Sequence, residues 1–69
     1  MTQTHQTGTL VDQLRSAPTV SVEVAARVLG VSRAYAYTLA RSEELPVIRV
    51  GNRVRVSSAG LLRMIGEDA

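Results

Sequence analysis

At 69 residues with 45% apolar content, the chain is the size of a single domain, near the lower limit at which one core holds a fold. It has no cysteine and only one histidine, which excludes a disulfide framework and a thiolate zinc site and leaves stability to packing. The net charge of +2 is small, but residues 19 to 56 hold six of the eight arginines against three acids, so the basic character belongs to the middle of the chain.

The start MTQTHQTGT lacks the basic and apolar regions of a signal peptide, and no apolar run approaches the ~18 residues of a membrane span. A cytoplasmic location and no membrane partner are therefore expected. Residues 1–8 show no apolar periodicity and read as a disordered tail. Residues 9–18 read as a short N-terminal helix or linker, with Thr9 as cap and Leu10, Val11 and Leu14 on one face, ended by Ala17-Pro18. That face either folds back onto the core or forms a strip for self-association.

Ser21 is the next helix-start signal, and Val24, Ala25, Val28 and Leu29 follow it at helical spacing. Gly30 stops this helix, since glycine adopts a left-handed conformation at least cost. Ser32 then caps a second helix, RAYAYTLARSEE. Helix, short glycine-containing turn and helix is the spacing of a helix-turn-helix. On a helical wheel with Ala36 at the centre of the inner face, Leu39 and Ala40 lie beside it. Ala34, Thr38 and Arg41 fall opposite, flanked by Tyr35 and Tyr37. Small Ala34 permits close approach to a surface, the tyrosines and Arg41 can donate to phosphates, and Arg33 in the first turn is placed to reach a base edge.

After Pro46 the period changes from 3.6 to 2. In VIRVGNRVRV the alternation puts Ile48, Val50, Val54 and Val56 on one side and Arg49, Arg53 and Arg55 on the other, with Gly51-Asn52 as a two-residue hairpin turn. The valine face is expected to rest on the helices, and three neighbouring arginines repel one another unless an anion lies between them. Ser57 or Ser58 caps a closing helix whose Leu61, Leu62 and Ile65 form an apolar stripe for the core. Residues 67–69 read as a solvated acidic tail.

The fold expected is a small, mainly α winged helix-turn-helix over residues 19–66, with one two-stranded antiparallel β-hairpin as wing. Catalysis is not expected. The sole histidine, His5, lies in the tail, no acidic pair is fixed by a rigid scaffold, and no Walker loop or dinucleotide fingerprint occurs. No metal or cofactor is expected either.

The run from Ser21 to Ile65 resembles the excisionase branch of the MerR-like winged-helix DNA-binding domains. The pieces that carry the likeness are AARVLGVSRAYAYTLAR, ELPVIRVGNRVRV and the leucine-bearing helix after Ser57. The resemblance implies a second helix in the major groove, with Ser32, Arg33, Tyr35, Tyr37, Thr38 and Arg41 on it. It also implies a wing along the minor groove or backbone carrying Arg49, Asn52, Arg53 and Arg55. Two positions depart from the family pattern. Val24 replaces the acid that would complete a capping box, and Glu43 stands where a glycine usually precedes the ELP turn.

Small free-standing members of that family include phage excisionases, or recombination directionality factors. The implied function is a sequence-specific, DNA-bending protein that directs an integrase toward excision. Implied partners are double-stranded DNA at attachment-site repeats, a phage integrase, and further copies of the chain as a homodimer or cooperative assembly. The size favours that reading over MerR-type activators, which append a long dimerisation helix and an effector site. A small stand-alone MerR-like transcriptional regulator is the alternative, and a basic protein-binding module is the reading of a different class.

Overall fold

Helix α1 covers residues 10–16 in the computed structural model of the chain, which describes residues 10–66. The Thr9 cap and the tails expected at residues 1–8 and 67–69 lie outside the described residues. Leu14 of α1 is 2% exposed and belongs to the core, while Leu10 and Val11 are half-buried. Of the apolar stripe of α1, Leu14 is thus used within the chain. No helix among the described residues is long and apolar enough to cross a membrane.

The two central helices start and stop on side-chain and backbone caps. Ser21 accepts a hydrogen bond from the Val24 amide at 3.1 Å and opens α2 (Val22–Leu29). At its end Gly30 takes φ 73°, and the amides of Gly30 and Val31 return to the carbonyls of Arg27 and Ala26. Ser32 repeats the cap on the Tyr35 amide and opens α3 (Arg33–Arg41). Here the helix is shorter than the pattern predicts, ending at Arg41 rather than running through Glu44. The amides of Glu43 and Glu44 return to the carbonyls of Ala40 and Leu39, the same closure that ends α2. Its left-handed residue, however, is Glu43 at φ 62°. A non-glycine residue pays about 1–2 kcal/mol for that conformation, which the satisfied carbonyls offset.

The sheet is three-stranded, not the two-stranded hairpin expected. β1 (Thr19–Val20), β2 (Val47–Val50) and β3 (Arg53–Ser57) lie in the order β1-β3-β2, all antiparallel. Thr19 pairs with Ser57 and Val20 with Val56, and the Ser58 amide donates to the Pro18 carbonyl at 3.0 Å. Two residues are too few to show alternation, so β1 left no period in the sequence.

The hairpin faces also differ from the expected division into a valine side and an arginine side. Val47 pairs with Val56, Ile48 with Arg55, Arg49 with Val54 and Val50 with Arg53. A two-residue loop sets each odd-numbered residue opposite an even-numbered one, and directly paired residues share a face. Residue parity therefore changes meaning across the turn. The underside is Val47, Val54 and Val56, with Arg49 at its outer end. The outer face is Ile48, Val50, Arg53 and Arg55. Exposure agrees, with Val56 at 0% against Ile48 at 41% and Val50 at 56%. Gly51 has φ 63° and Asn52 does not share that sign, the pattern of a II′ hairpin turn.

Ser57 caps the last helix, α4 (Ser58–Met64), by accepting from the Gly60 amide at 3.1 Å. Leu61 of α4 packs with Leu14, Val20, Val22, Leu45 and Val56 in the core. Most of the buried side chains of α2 and α3 are small, namely Ala25, Ala26, Ala36 and Ala40, with Val22 of α2 the one larger buried side chain. α4 lies so close to Pro46 that a Cβ on Gly60 would stand 2.6 Å from the proline Cβ.

Gly60→Ala should therefore destabilise the fold by about 1–3 kcal/mol through overpacking, read as a lower denaturation midpoint. An unchanged midpoint would show that the α4 to Pro46 contact yields freely. Glu43→Gly should do the reverse. Relief of the left-handed conformation, less the added flexibility of the unfolded chain, gives a gain of ~0.5–1 kcal/mol, whereas a loss would place no strain at Glu43.

Candidate nucleic-acid interface

The inner face of α3 is set by Ala36 and Ala40, both buried against α2 and the core. The opposite face is bare. Ala34, Tyr35, Thr38 and Arg41 are all exposed, Tyr35 by 54%. Among the described residues neither the Tyr35 side chain nor Arg41 has a hydrogen-bond or ion-pair partner. Thr38 donates from Oγ1 to the Ala34 carbonyl at 3.2 Å, one turn back, which leaves its hydroxyl oxygen able to accept. Ser32 is exposed, but its oxygen is used as the α3 cap.

Two of the expected contacts lean toward α2 instead. The Tyr37 hydroxyl donates to Glu23 Oε2 at 2.8 Å and the ring is half-buried, so Tyr37 does not stand on the outer face as Tyr35 does. Arg33 donates from Nε to the same oxygen at 3.2 Å, with its guanidinium 5.9 Å from the centre of the Tyr37 ring. That distance is within reach of a cation–π contact. The Arg33 side chain is nonetheless 72% exposed, so the pair with Glu23 is a solvent-accessible one whose net energy is small.

The wing residues divide in the same way. Asn52 and Arg53 are exposed at and beside the turn, and no hydrogen bond or ion pair occupies either side chain among the described residues. Arg55 is half-buried on the outer face and donates from Nε to Thr19 Oγ1 at 3.2 Å and from Nη2 to the Thr19 carbonyl at 3.3 Å. Arg49, on the other face, lies 3.7 Å from Glu43 with both side chains more than half exposed. The three wing arginines thus do not form one row. Arg53 and Arg55 share the outer face with Ile48 and Val50, and Arg49 borders the end of α3.

Two residues that organise this surface were not singled out in the sequence. Glu23 holds Arg33 and Tyr37 from the preceding helix, and Thr19 fixes Arg55 across the sheet. A signal for Glu23 was present. Arg33 puts a cation in the first turn of α3, where the helix dipole favours an anion, and Glu23 is the sole acid between Asp12 and Glu43. Thr19 had none, because its role depends on β1 joining the sheet. Among the described residues no group of three His, Cys, Asp or Glu side chains is arranged to hold a metal ion.

The Tyr37 hydroxyl, followed by the Glu23 backbone amide and then Arg33, holds the Glu23 carboxyl below its ordinary 4.5, and the Glu23 carboxylate in turn raises the Tyr37 hydroxyl above its ordinary 10.0. A depressed acid contributes stability above its unfolded value and loses it as pH falls through the native one; a raised phenol contributes below its unfolded value and loses it as pH rises. The contact is thus present between these limits. The stability difference between the parent and Glu23→Ala should be largest near neutral pH and close as the pH drops below 4.5. A difference that stays constant into acid would remove the ionised carboxylate from the contact.

Residues 19–68 match a helix-turn-helix domain family. No curated protein and no solved structure gives a match. The matched span begins at β1 and takes in both central helices, the wing and α4, so the serine caps, the glycine turn and the bare face of α3 all fall inside one matched frame. On that frame, and over more than half its length, the chain belongs to the helix-turn-helix domain family, a DNA-binding family that includes excisionase-like proteins.

Proposed function

We propose that the chain is a sequence-specific, DNA-bending architectural protein that acts as a phage excisionase, binding attachment-site repeats and directing an integrase toward excision. The observation that carries this reading is the outer face of α3. It is exposed, free of acidic side chains, and presents Tyr35, Thr38 and Arg41 beside a helix N-terminus that holds Arg33. A helix entering the major groove needs such a face, with base-reading residues in its first turn and phosphate donors further along.

The wing supplies the second part. Arg53 at the turn and Arg55 behind it are cations on one face of a narrow, twisted ribbon, suited to a minor groove or its phosphates. The exposed aliphatic side chains of Ile48 and Val50 share that face, and architectural proteins set apolar groups among arginines where they press on a groove. Tyr37 is assigned to supporting Arg33 rather than to a phosphate, because its hydroxyl is taken by Glu23. Bending follows if several copies occupy adjacent repeats.

Footprinting on phage attachment-site duplexes, with a gel assay for curvature, tests the proposal. Protection of repeated sites with induced curvature is the expected result. Protection without curvature would point to a small MerR-like regulator, and no duplex binding would end the DNA reading. Across a salt series about five or six phosphate contacts give a log–log slope near −5. Arg53→Ala should weaken binding on all sequences and reduce the slope by about 1. A parent-like slope for that variant would take Arg53 off the phosphates.

A further inference from the structure

We propose that Glu23 is a positioning residue for base reading: it holds Arg33 by Nε so that the two terminal guanidinium nitrogens face outward, a geometry that selects guanine. The inference deepens the proposed function and rests on α3 entering the major groove.

One carboxylate oxygen, Glu23 Oε2, takes both the Arg33 Nε–H at 3.2 Å and the Tyr37 hydroxyl at 2.8 Å. The guanidinium also lies against the Tyr37 ring. Two contacts thus act on one long side chain that would otherwise sample many rotamers, and the Tyr37 hydroxyl fixes the carboxylate that makes one of them. Arg33 is not placed for the sake of the helix, since a cation in the first turn opposes the helix dipole. Glu23 also stands in the first turn of α2, where its carboxylate meets its own backbone amide, but the capping-box position three residues after Ser21 is filled by Val24. Among the described residues the Arg33 terminal nitrogens make no hydrogen bond. An arginine fixed through Nε offers those two nitrogens as a parallel fork, which matches the O6 and N7 acceptors of guanine in the major groove. Adenine offers an acceptor and a donor there, and meets the fork badly.

The experiment uses the full chain and its footprinted duplex. Arg33→Ala first locates the base pair that Arg33 reads, as the position where preference is lost. The four bases are then compared at that position for the parent, Glu23→Ala, Glu23→Gln and Tyr37→Phe, with an unrelated duplex beside them and a thermal melt of each variant. The parent should prefer guanine by roughly 5- to 150-fold, the range a bidentate arginine supplies. Glu23→Ala should lose most of that preference while binding the unrelated duplex more tightly, because a negative charge near the phosphates has gone. Glu23→Gln, whose side-chain carbonyl can accept from Nε and from Tyr37, should restore most of the preference, and Tyr37→Phe should fall between. Guanine preference that survives in Glu23→Ala, or a preferred base other than guanine, overturns the inference while leaving DNA binding intact. Equal weakening on specific and unrelated duplexes assigns Glu23 a purely structural role and overturns it too. A parent that binds no duplex fails at the earlier step, the proposed function itself.

Discussion

The close seat of α3 on α2 is the constraint from which the rest of the surface follows. Ala25, Ala26, Ala36 and Ala40 are four of the five buried side chains of these helices, the fifth being Val22, and none of the four is larger than a methyl group. Small residues let two short helices approach closely enough to bury their inner faces within a chain of this size. The approach fixes which residues of α3 lie outward, and it brings the first turn of α2 to the first turn of α3. The contacts of Glu23 with Arg33 and Tyr37, ten and fourteen residues away in sequence, exist because of that packing. A larger side chain at Ala36 would separate the helices and part these groups together.

Charge is arranged on this frame with economy. The acids nearest the basic surface, Glu23 and Glu43, each meet one arginine, Arg33 and Arg49 respectively. Both pairs reach solvent, so neither contributes much stability, and the Glu23 contact takes only Arg33 Nε and leaves the terminal nitrogens for a partner. Arg41 and Arg53 stand without such a partner among the described residues. With Arg55 held by Thr19, the surface combines three oriented arginines with two freely presented ones. Glu43 carries a further burden, since it ends α3 in a conformation that glycine would take more readily.

Local chemistry was legible in the residues themselves. Ser21, Ser32 and Ser57 cap the helices that follow them, Gly30 ends α2, and Gly51-Asn52 turns the hairpin, because caps and tight turns depend on side chains within a few positions. The helix-turn-helix and the outward face of α3 were legible for the same reason, as was the core role of Leu61. The remainder depends on distance or register. β1 is too short to show a period, and its pairing with β3 spans most of the domain. Alternation carried straight across the turn assigns the hairpin faces wrongly, because a two-residue loop pairs odd-numbered residues with even-numbered ones. A wheel treats each helix alone and so sets Tyr37 outward, whereas its hydroxyl reaches the preceding helix. The early end of α3 came from backbone bonds of Glu43 and Glu44 that outweigh a left-handed φ.

The central claim is that the bare face of α3 and the outer face of the wing meet duplex DNA together, with α4 turned to the core and away from it. A titration of the labelled chain with duplex, followed by the backbone amide resonances, tests this most directly. The account predicts shifts concentrated in residues 33–41 and 49–55, with those of residues 60–64 nearly unmoved. Shifts centred on α4, or confined to the wing while α3 stays silent, would contradict it.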